Sequence, residues 1–453
     1  MIKLLFFGIL LVFAYQIISR PAAQKLSWLL GGILFIPNYV ILVNSPQIPF
    51  YKALLYIILL MCLKFSTSSN FIKKFPFSKV FIFILFIYLM IGLSDSRVSL
   101  FYQIYRSVNF FIERFFILYI AWFFVKNIDD FRFIFERLYW FFFILCIYGI
   151  SNFLTRNNEF NELLSAGFGA VDFANYNMRE DAERFRVASF TPHPIYYGFL
   201  LSVMLLMELY VITAYKHFRK QKYKHVLLII LLLINLVLVN SRTPILSFLL
   251  GSFIYVIFAL NTKYKMQIII STSVLVLFSF FISSSARTLL LNSISAFSQN
   301  DNNSQFQNGS SLEMREMQLE ASLIIFAQSP ITGHGFNYIQ EGLGYASEKE
   351  DRESGGELYG FESYSYKLLI EEGILGIVAN FIFVFVALLW LLKMRSKVNS
   401  VGKKTIFLTI GLLMSFVAFI LGTGDLGTFI FFMIIFGMNV KLIMLSSYNS
   451  SYV

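Results

Sequence analysis

Four positions of this 453-residue chain put a charge at the start of an apolar run, where chemistry on a phosphorylated substrate can be done. In Asn240-Ser241-Arg242-Thr243-Pro244, Thr243 reads as an N-cap and Pro244 as the first helical residue, with Arg242 immediately before them. Backbone N–H groups and the positive end of the helix dipole favour an anion there, and a neighbouring guanidinium can grip phosphate with two parallel hydrogen bonds. A second helix start follows Arg184-Phe185-Arg186-Val187-Ala188-Ser189-Phe190-Thr191-Pro192-His193-Pro194, where two arginines and a histidine precede a Pro-rich entry. Arg242 and Arg186 are candidates for holding a phosphate or diphosphate. The same side chains also serve plainer ends, reaching to lipid headgroups or pairing with acids of nearby loops.

Glu362 stands just before the run that opens with Ser363 and Tyr364, and Glu371 and Glu372 follow about two turns on. An ionisable group at a membrane boundary is a functional candidate by default, and a partly buried carboxylate can take a proton from a hydroxyl. Glu362 is the candidate base. Against it stands a capping role for Glu362, with Glu371 or Glu372 pairing to Lys367 at helical spacing. His193, His217, His225 and His334 are scattered, and no HExxH, Cys pair or Asp cluster signals a metal. Gly333-His334-Gly335 reads as a turn. With no Walker A motif and no GxGxxG at a strand–helix junction, no cofactor is expected, and the energy has to arrive in an activated bond of the substrate.

The elements that carry these residues are set by composition. Hydrophobic residues make up 57% of the chain and charged ones 14%, with 54 Phe and 25 Tyr, and the mean hydropathy is +0.69. A soluble domain carries roughly 45–50% and 25%, so lipid is the solvent for much of this surface. Cys62 and Cys146 each sit inside an apolar run and read as small buried hydrophobes. Stretches long enough to span occur at Leu4–Ser19, Leu26–Val43, Leu54–Phe65, Val80–Leu93, Ser107–Val125, Phe133–Leu154, Pro194–Tyr215, Val226–Val239, Pro244–Leu260, Met266–Ser283, Ser363–Leu392, Thr405–Leu421 and Thr428–Ile443. The expectation is an all-α bundle of about 13 transmembrane helices. The first has no small-residue cleavage pattern after it and is expected to be retained.

Basic clusters at Lys216–Lys224 and Lys393–Lys404, with Lys73, Lys74 and Lys79, mark cytoplasmic loops and place the C-terminus inside. This accounts for the net charge of +11 and speaks against nucleic acid as partner; membrane lipid is the expected neighbour. Two outer segments are long: 155–192 and 284–362, the latter with eleven acids against four bases. Part of it should fold, because Ser310-Ser311-Leu312-Glu313 fits a capping box and helical spacing runs from Leu312 to Ala327 before Pro330 and Gly333. Asn300–Ser310 and Ser347–Gly356 read as flexible. The chain therefore divides into ten spans over 1–283, an extracytoplasmic loop domain over 284–362 and three spans over 363–453.

Taken in order, Asn240-Ser241-Arg242-Thr243 with Gly251, the approach from Arg186 to Pro194, Arg315 in Glu313-Met314-Arg315-Glu316, Ser329-Pro330-Ile331-Thr332-Gly333-His334-Gly335-Phe336 and Glu362 through Gly376 resemble the O-antigen polymerase and ligase superfamily of bacterial membrane proteins. Ligases of that superfamily usually open the last motif with His-Asn, where this chain has Glu362-Ser363, so the resemblance implies a polymerase. Ser189 stands where glycine is common. The implied activity is inverting, metal-independent glycosyl transfer at the outer face of the cytoplasmic membrane, with undecaprenyl-diphosphate-linked oligosaccharides as substrates and a chain-length regulator as a further candidate partner. Arg242 and Arg315 would stabilise the leaving diphosphate and Glu362 would act as base, with Arg184, Arg186, His193, His334 and Tyr364 contacting substrate. The rivals are a ligase acting on lipid A core and a lipid-linked oligosaccharide flippase; for the latter, Glu113-Arg114 and Arg137 are the few charges inside spans.

Overall fold

A computed structural model describes residues 2–44, 46–65, 74–168, 178–179, 184–214, 222–261, 265, 312–343, 363–424 and 427–448. Glu362, Asn300–Ser310, Ser347–Gly356 and the candidate span Met266–Ser283 lie outside them. The described chain is overwhelmingly helical. Its helices are α1 (Ile2–Ser19), α2 (Ala22–Phe35), α3 (Phe50–Phe65), α4 (Ser78–Leu93), α5 (Leu100–Phe111), α6 (Ile117–Phe124), α7 (Ile128–Thr155), α8 (Glu159–Phe168), α9 (Pro194–Ala214), α10 (Lys222–Leu238), α11 (Arg242–Ala259), α12 (Leu312–Gln328), α13 (Tyr338–Glu341), α14 (Tyr364–Lys367), α15 (Gly373–Met394), α16 (Ser400–Thr423) and α17 (Thr428–Tyr448).

Eight helical stretches among the described residues are long and apolar enough to cross a membrane, with Ser78–Leu93 a shorter apolar one. The polytopic all-α architecture holds, while the count of about 13 is not reached on these residues. The second expected span, Leu26–Val43, is corrected. Helix α2 stops at Phe35 before Pro37, and Ile41–Asn44 pairs antiparallel with Gln47–Pro49 as β1 and β2. Proline stops the helix there, because it cannot donate to the ladder and pushes the residue before it out of helical geometry. A second short hairpin, β3 (Met178–Arg179) with β4 (Arg184–Phe185), lies in the segment before α9.

Two membrane-length helices are interrupted. A π-helical turn, Ile112–Phe116, joins α5 to α6, and a second, Leu368–Glu372, joins α14 to α15. Each widens the backbone spiral by one residue per turn and re-aims the side chains that follow. The second break is sharper, since Gly373 takes φ +59°, ψ −157°.

The core packs through aromatic rings and small residues. Phe416 stacks on Phe432 at 4.0 Å between centroids, joining α16 to α17. Gly251 of α11 and Gly411 of α16 touch backbone to backbone, each lacking room for a side chain. Small residues at such crossings let helices approach where lipid offers no hydrophobic driving force. Polar ties fix which ends share a side. Lys404 donates to the Thr213 carbonyl at 2.8 Å, bringing the end of α9 to the start of α16, both beside the richest basic clusters. At the other ends of these helices stand His193 and Gly422. Cys62 and Cys146 are buried free thiols, as expected.

Candidate functional site

The region around Arg242 is built by the α10–α11 turn. Asn240 takes φ +51°, a left-handed conformation that asparagine tolerates, and donates its N–H to the Val237 carbonyl. The chain therefore re-enters helix earlier than the sequence suggested: Ser241 is the extended cap residue and Arg242 the first helical one. Pro244 falls in the first turn, where its missing N–H costs nothing because no intrahelical acceptor exists for it. Its carbonyl instead accepts from Ser202 of α9 at 2.8 Å, and Gly198 leaves the space its ring occupies. Arg242 is exposed.

Arg186 is buried beside this turn. Its Nε donates to the Val239 carbonyl at 3.5 Å, and the backbone N–H of Val187 donates to the Leu238 carbonyl. The approach strand thus lies against the end of α10, three residues before Arg242. Ser189 takes φ +54°, which explains why a glycine would suit the position. Its hydroxyl donates to the Leu145 carbonyl at 2.8 Å, and its own carbonyl accepts from Asn158. His193 follows, its Nδ1 accepting from the Ile195 N–H at the start of α9. Burial, then the charge of Arg186, push its imidazole down to about 3, so it stays neutral in ordinary buffers. Arg184 pairs in register with Arg179 through β4.

Arg315, on α12, comes from a different part of the sequence to the same place. Its Nη2 donates to the Gly422 carbonyl at 3.3 Å, and the space beside Gly422 is filled by the Thr243 side chain, where a Cβ would lie 3.0 Å from Cγ2. Arg315 therefore reaches the same residue at the end of α16 that Thr243, next to Arg242 in the chain, touches. The start of α14 closes the ring: Tyr366 donates its hydroxyl to the Arg315 carbonyl at 3.1 Å, and Ser363 donates to the Leu421 carbonyl at 2.7 Å. Ser363 is the residue directly after Glu362.

Tyr364 and His334 are less central than expected. The Tyr364 ring is buried against Phe429 and beneath the guanidinium of Arg114, so it supports the start of α14 from inside. His334 lies in the expected turn, with Gly333 at φ +65° and Gly335 at φ +92°. Its Nε2 faces the Ile325 carbonyl at 3.0 Å and its ring stacks on Tyr338 at 4.3 Å. Both of its roles in the structure are internal.

That turn is stitched into the break of the α14–α15 helix. His334 and Gly335 donate backbone N–H groups to the Ile370 and Glu371 carbonyls, while Ile374 and Leu375 donate to Pro330 and Ile331. Polar groups freed by the interruption are thereby satisfied within protein, as hydrocarbon requires. Glu371 accepts from the Ile339 N–H, and Glu372 pairs with Arg114 rather than with Lys367. Residues that sequence reasoning missed clamp this turn and α13 from the α4–α5 connection and from α5 itself. Arg106 reaches Glu341 with two bonds of 2.6 and 2.7 Å, and Arg97 bonds Asp95 and the His334 carbonyl. The signal was Arg97 just before, and Arg106 within, a helix that also carries Gln103, Ser107 and Asn109.

A groove of about 430 Å³, including its open mouth, lies beside Thr191 and Pro192. Ile33, Ile36, Tyr51, Phe190, Tyr196 and Ile430 make it largely apolar, with Asn38 and Thr191 as polar positions. None of its lining residues is an arginine.

Compared with known families, residues 227–381 match the O-antigen ligase family. No curated protein matches the chain. The matched segment holds Arg242, Arg315, His334, Glu362 and Tyr364, while Arg184, Arg186 and His193 precede it. Members of that family are membrane enzymes of glycosyl transfer. The match to the O-antigen ligase family is confined to residues 227–381, about a third of the chain, and supports the resemblance to the O-antigen ligase and polymerase superfamily.

Proposed function

We propose that this protein joins polyprenyl-diphosphate-linked oligosaccharide repeat units into a surface polysaccharide, at the extracytoplasmic face of the bacterial cytoplasmic membrane. The observation that supports it best is the gathering of Arg186, Arg242 and Arg315 around two neighbouring backbone segments, 239–243 and 421–422. A growing chain on its lipid diphosphate would be the donor. As the glycosidic carbon leaves the diphosphate, charge builds on the phosphate oxygens, and guanidinium groups already in place stabilise it most in the transition state. Glu362, next to Ser363 at the edge of this cluster, would take the proton from the acceptor hydroxyl as the new bond forms on the opposite face of the sugar. The undecaprenyl chain as carrier and a chain-length regulator as partner belong to the same proposal.

The family's description as ligase supports a second reading, transfer of finished polysaccharide to lipid A core. Glu362-Ser363, standing where ligases usually have His-Asn, favours polymerisation. The structure weakens the transporter reading: Glu113 and Arg114 are each engaged with a counter-charge, Lys52 at 2.7 Å and Glu372, instead of lining a polar path. The deciding experiment gives purified protein a lipid diphosphate-linked repeat unit, with and without a lipid A core acceptor. A ladder of products without the core, lost in Arg242→Ala and Glu362→Gln, supports polymerisation. A single transfer that requires the core refutes it in favour of the ligase.

A further inference from the structure

The two interrupted helices face each other, and each presents a charge at its interruption. Arg114, in the π-helical turn after α5, is 3% exposed along its side chain, and Glu372, at the end of the second π-helical turn, is 0%. Their ion pair is short and direct, and the same Arg114 Nη1 donates to the Tyr88 hydroxyl at 3.1 Å. The guanidinium also lies over three aromatic rings, Phe110 at 4.8 Å, Tyr364 at 5.3 Å and Phe429 at 5.6 Å. On the far side, the Glu372 side chain lies against Gly376 of α15, whose missing Cβ leaves it room.

We infer that Arg114 and Glu372 are a positioning pair for glycosyl transfer, locking the broken α14–α15 helix so that its first turn meets Arg315 and the end of α16. Arg114 grips that helix at two places, through the Glu372 carboxylate at the end of the π-helical turn and through the Tyr364 ring before that turn. Between those grips the break is free to change angle only if one is released. The residues that α14 sets in place are those that matter to the proposed chemistry: Ser363 on the Leu421 carbonyl and Tyr366 on the Arg315 carbonyl. π-Helical turns recur where a helix must aim a side chain, and here two of them are joined by one ion pair. A buried pair is a poor source of net stability but a good source of geometry, since removing both charges is often neutral while removing one is severe. The catalytic consequence rests on the polymerase reading; the geometric one does not.

The test compares the full-length protein in lipid nanodiscs with Arg114→Met/Glu372→Leu and with Arg114→Lys. Three quantities are read: the thermal midpoint, backbone amide exchange resolved by segment, and kcat and KM for ladder formation. The expected result for the double variant is a wild-type midpoint, exchange at 364–367 faster by about tenfold with α9 and α16 unchanged, and a fall in kcat of about 100-fold at constant KM. Arg114→Lys, which keeps the charge and gives up the planar stack, should recover part of the protection. The inference is overturned by wild-type protection at 364–367, by loosening spread evenly over the bundle, or by local loosening with kcat intact. If the double variant does not fold, Arg114→Lys decides among the same outcomes. Wild-type protein that makes no ladder, yet shows the expected exchange pattern, sinks the polymerase reading and leaves the positioning pair standing.

Discussion

Replacing Gly373 with alanine is the most direct test of how the helix break is held. At φ +59°, ψ −157° the residue occupies a region that only glycine adopts freely, and a side chain there costs about 1–3 kcal/mol in strain alone. A Cβ would also lie 2.5 Å from the Gly333 nitrogen and 2.7 Å from the Ile331 carbonyl oxygen. Both are backbone atoms, so no rotamer change relieves the overlap, and the 330–335 turn has to move away. Four backbone hydrogen bonds cross that junction, at 2.9, 3.0, 2.9 and 3.1 Å. Sacrificing two of them, at a net value of about 0.5–1.5 kcal/mol each, brings the total to roughly 2–6 kcal/mol. Thermal unfolding in detergent measures the loss, and amide exchange at His334, Gly335, Ile374 and Leu375 locates it. Gly8→Ala in α1 serves as control, because nothing lies within 4 Å of its added carbon. A Gly373→Ala protein that melts with the wild type and keeps those four amides protected would refute the stitched junction.

Arg315→Ala, which removes an exposed side chain and one bond to Gly422, should leave the thermal midpoint nearly unchanged while lowering ladder formation by about 10²–10³-fold; equal losses in both would mean that the arginine is structural. Arg106→Leu should free the 336–341 segment, raising its amide exchange, with a stability loss of about 1.5–3 kcal/mol for the charged bonds to Glu341. The His193 imidazole, held at about 3, takes up no proton on folding's side of the equilibrium until well below the 6.5 of the unfolded chain. Stability therefore falls as pH drops from about 6.5 toward 3, and His193→Gln should flatten that slope in a plot of thermal midpoint against pH. An acid limb of activity near pH 6.5 that vanishes in His193→Gln would contradict the neutral imidazole. Ser189→Gly should relieve left-handed strain and forfeit the bond to the Leu145 carbonyl, two terms of about 1 kcal/mol that nearly cancel, so a large shift in melting either way would count against this balance.

Much of this was readable from the chain. Apolar runs and basic clusters located most helices and which of their ends lie together, and Pro330 and Gly333 ended α12 where expected. Arg242 and Arg315 stood out because charge is rare in such a sequence and each sat by a helix start or on a loop helix. Misread were features that arise from contact. The onset of α11 moved to Arg242 because Asn240 turns left-handed, and no periodicity encodes a dihedral angle. Nor did spacing show that Glu372 would leave Lys367 for Arg114, since it ends a π-helical turn whose carbonyls are bonded by the 330–335 turn. For Tyr364 and His334, substrate contact was an expectation drawn from the resemblance alone. In the structure both are engaged by their own protein, one under Arg114 and the other on Tyr338.

Arg114 and Glu372 are 258 positions apart in the chain, and that separation has a consequence for biogenesis. At about 5–20 residues per second, ribosomes need roughly 13–50 s to add the intervening polypeptide. Throughout that interval the membrane must accommodate a guanidinium without its eventual carboxylate, at an insertion penalty of about 2.5–3.5 kcal/mol if the charge sits near mid-bilayer. The early helices can therefore reach their final depth only when the last quarter of the protein enters the bilayer, so truncated products should be left in a shallow, protease-sensitive arrangement that quality-control machinery can distinguish from the finished bundle.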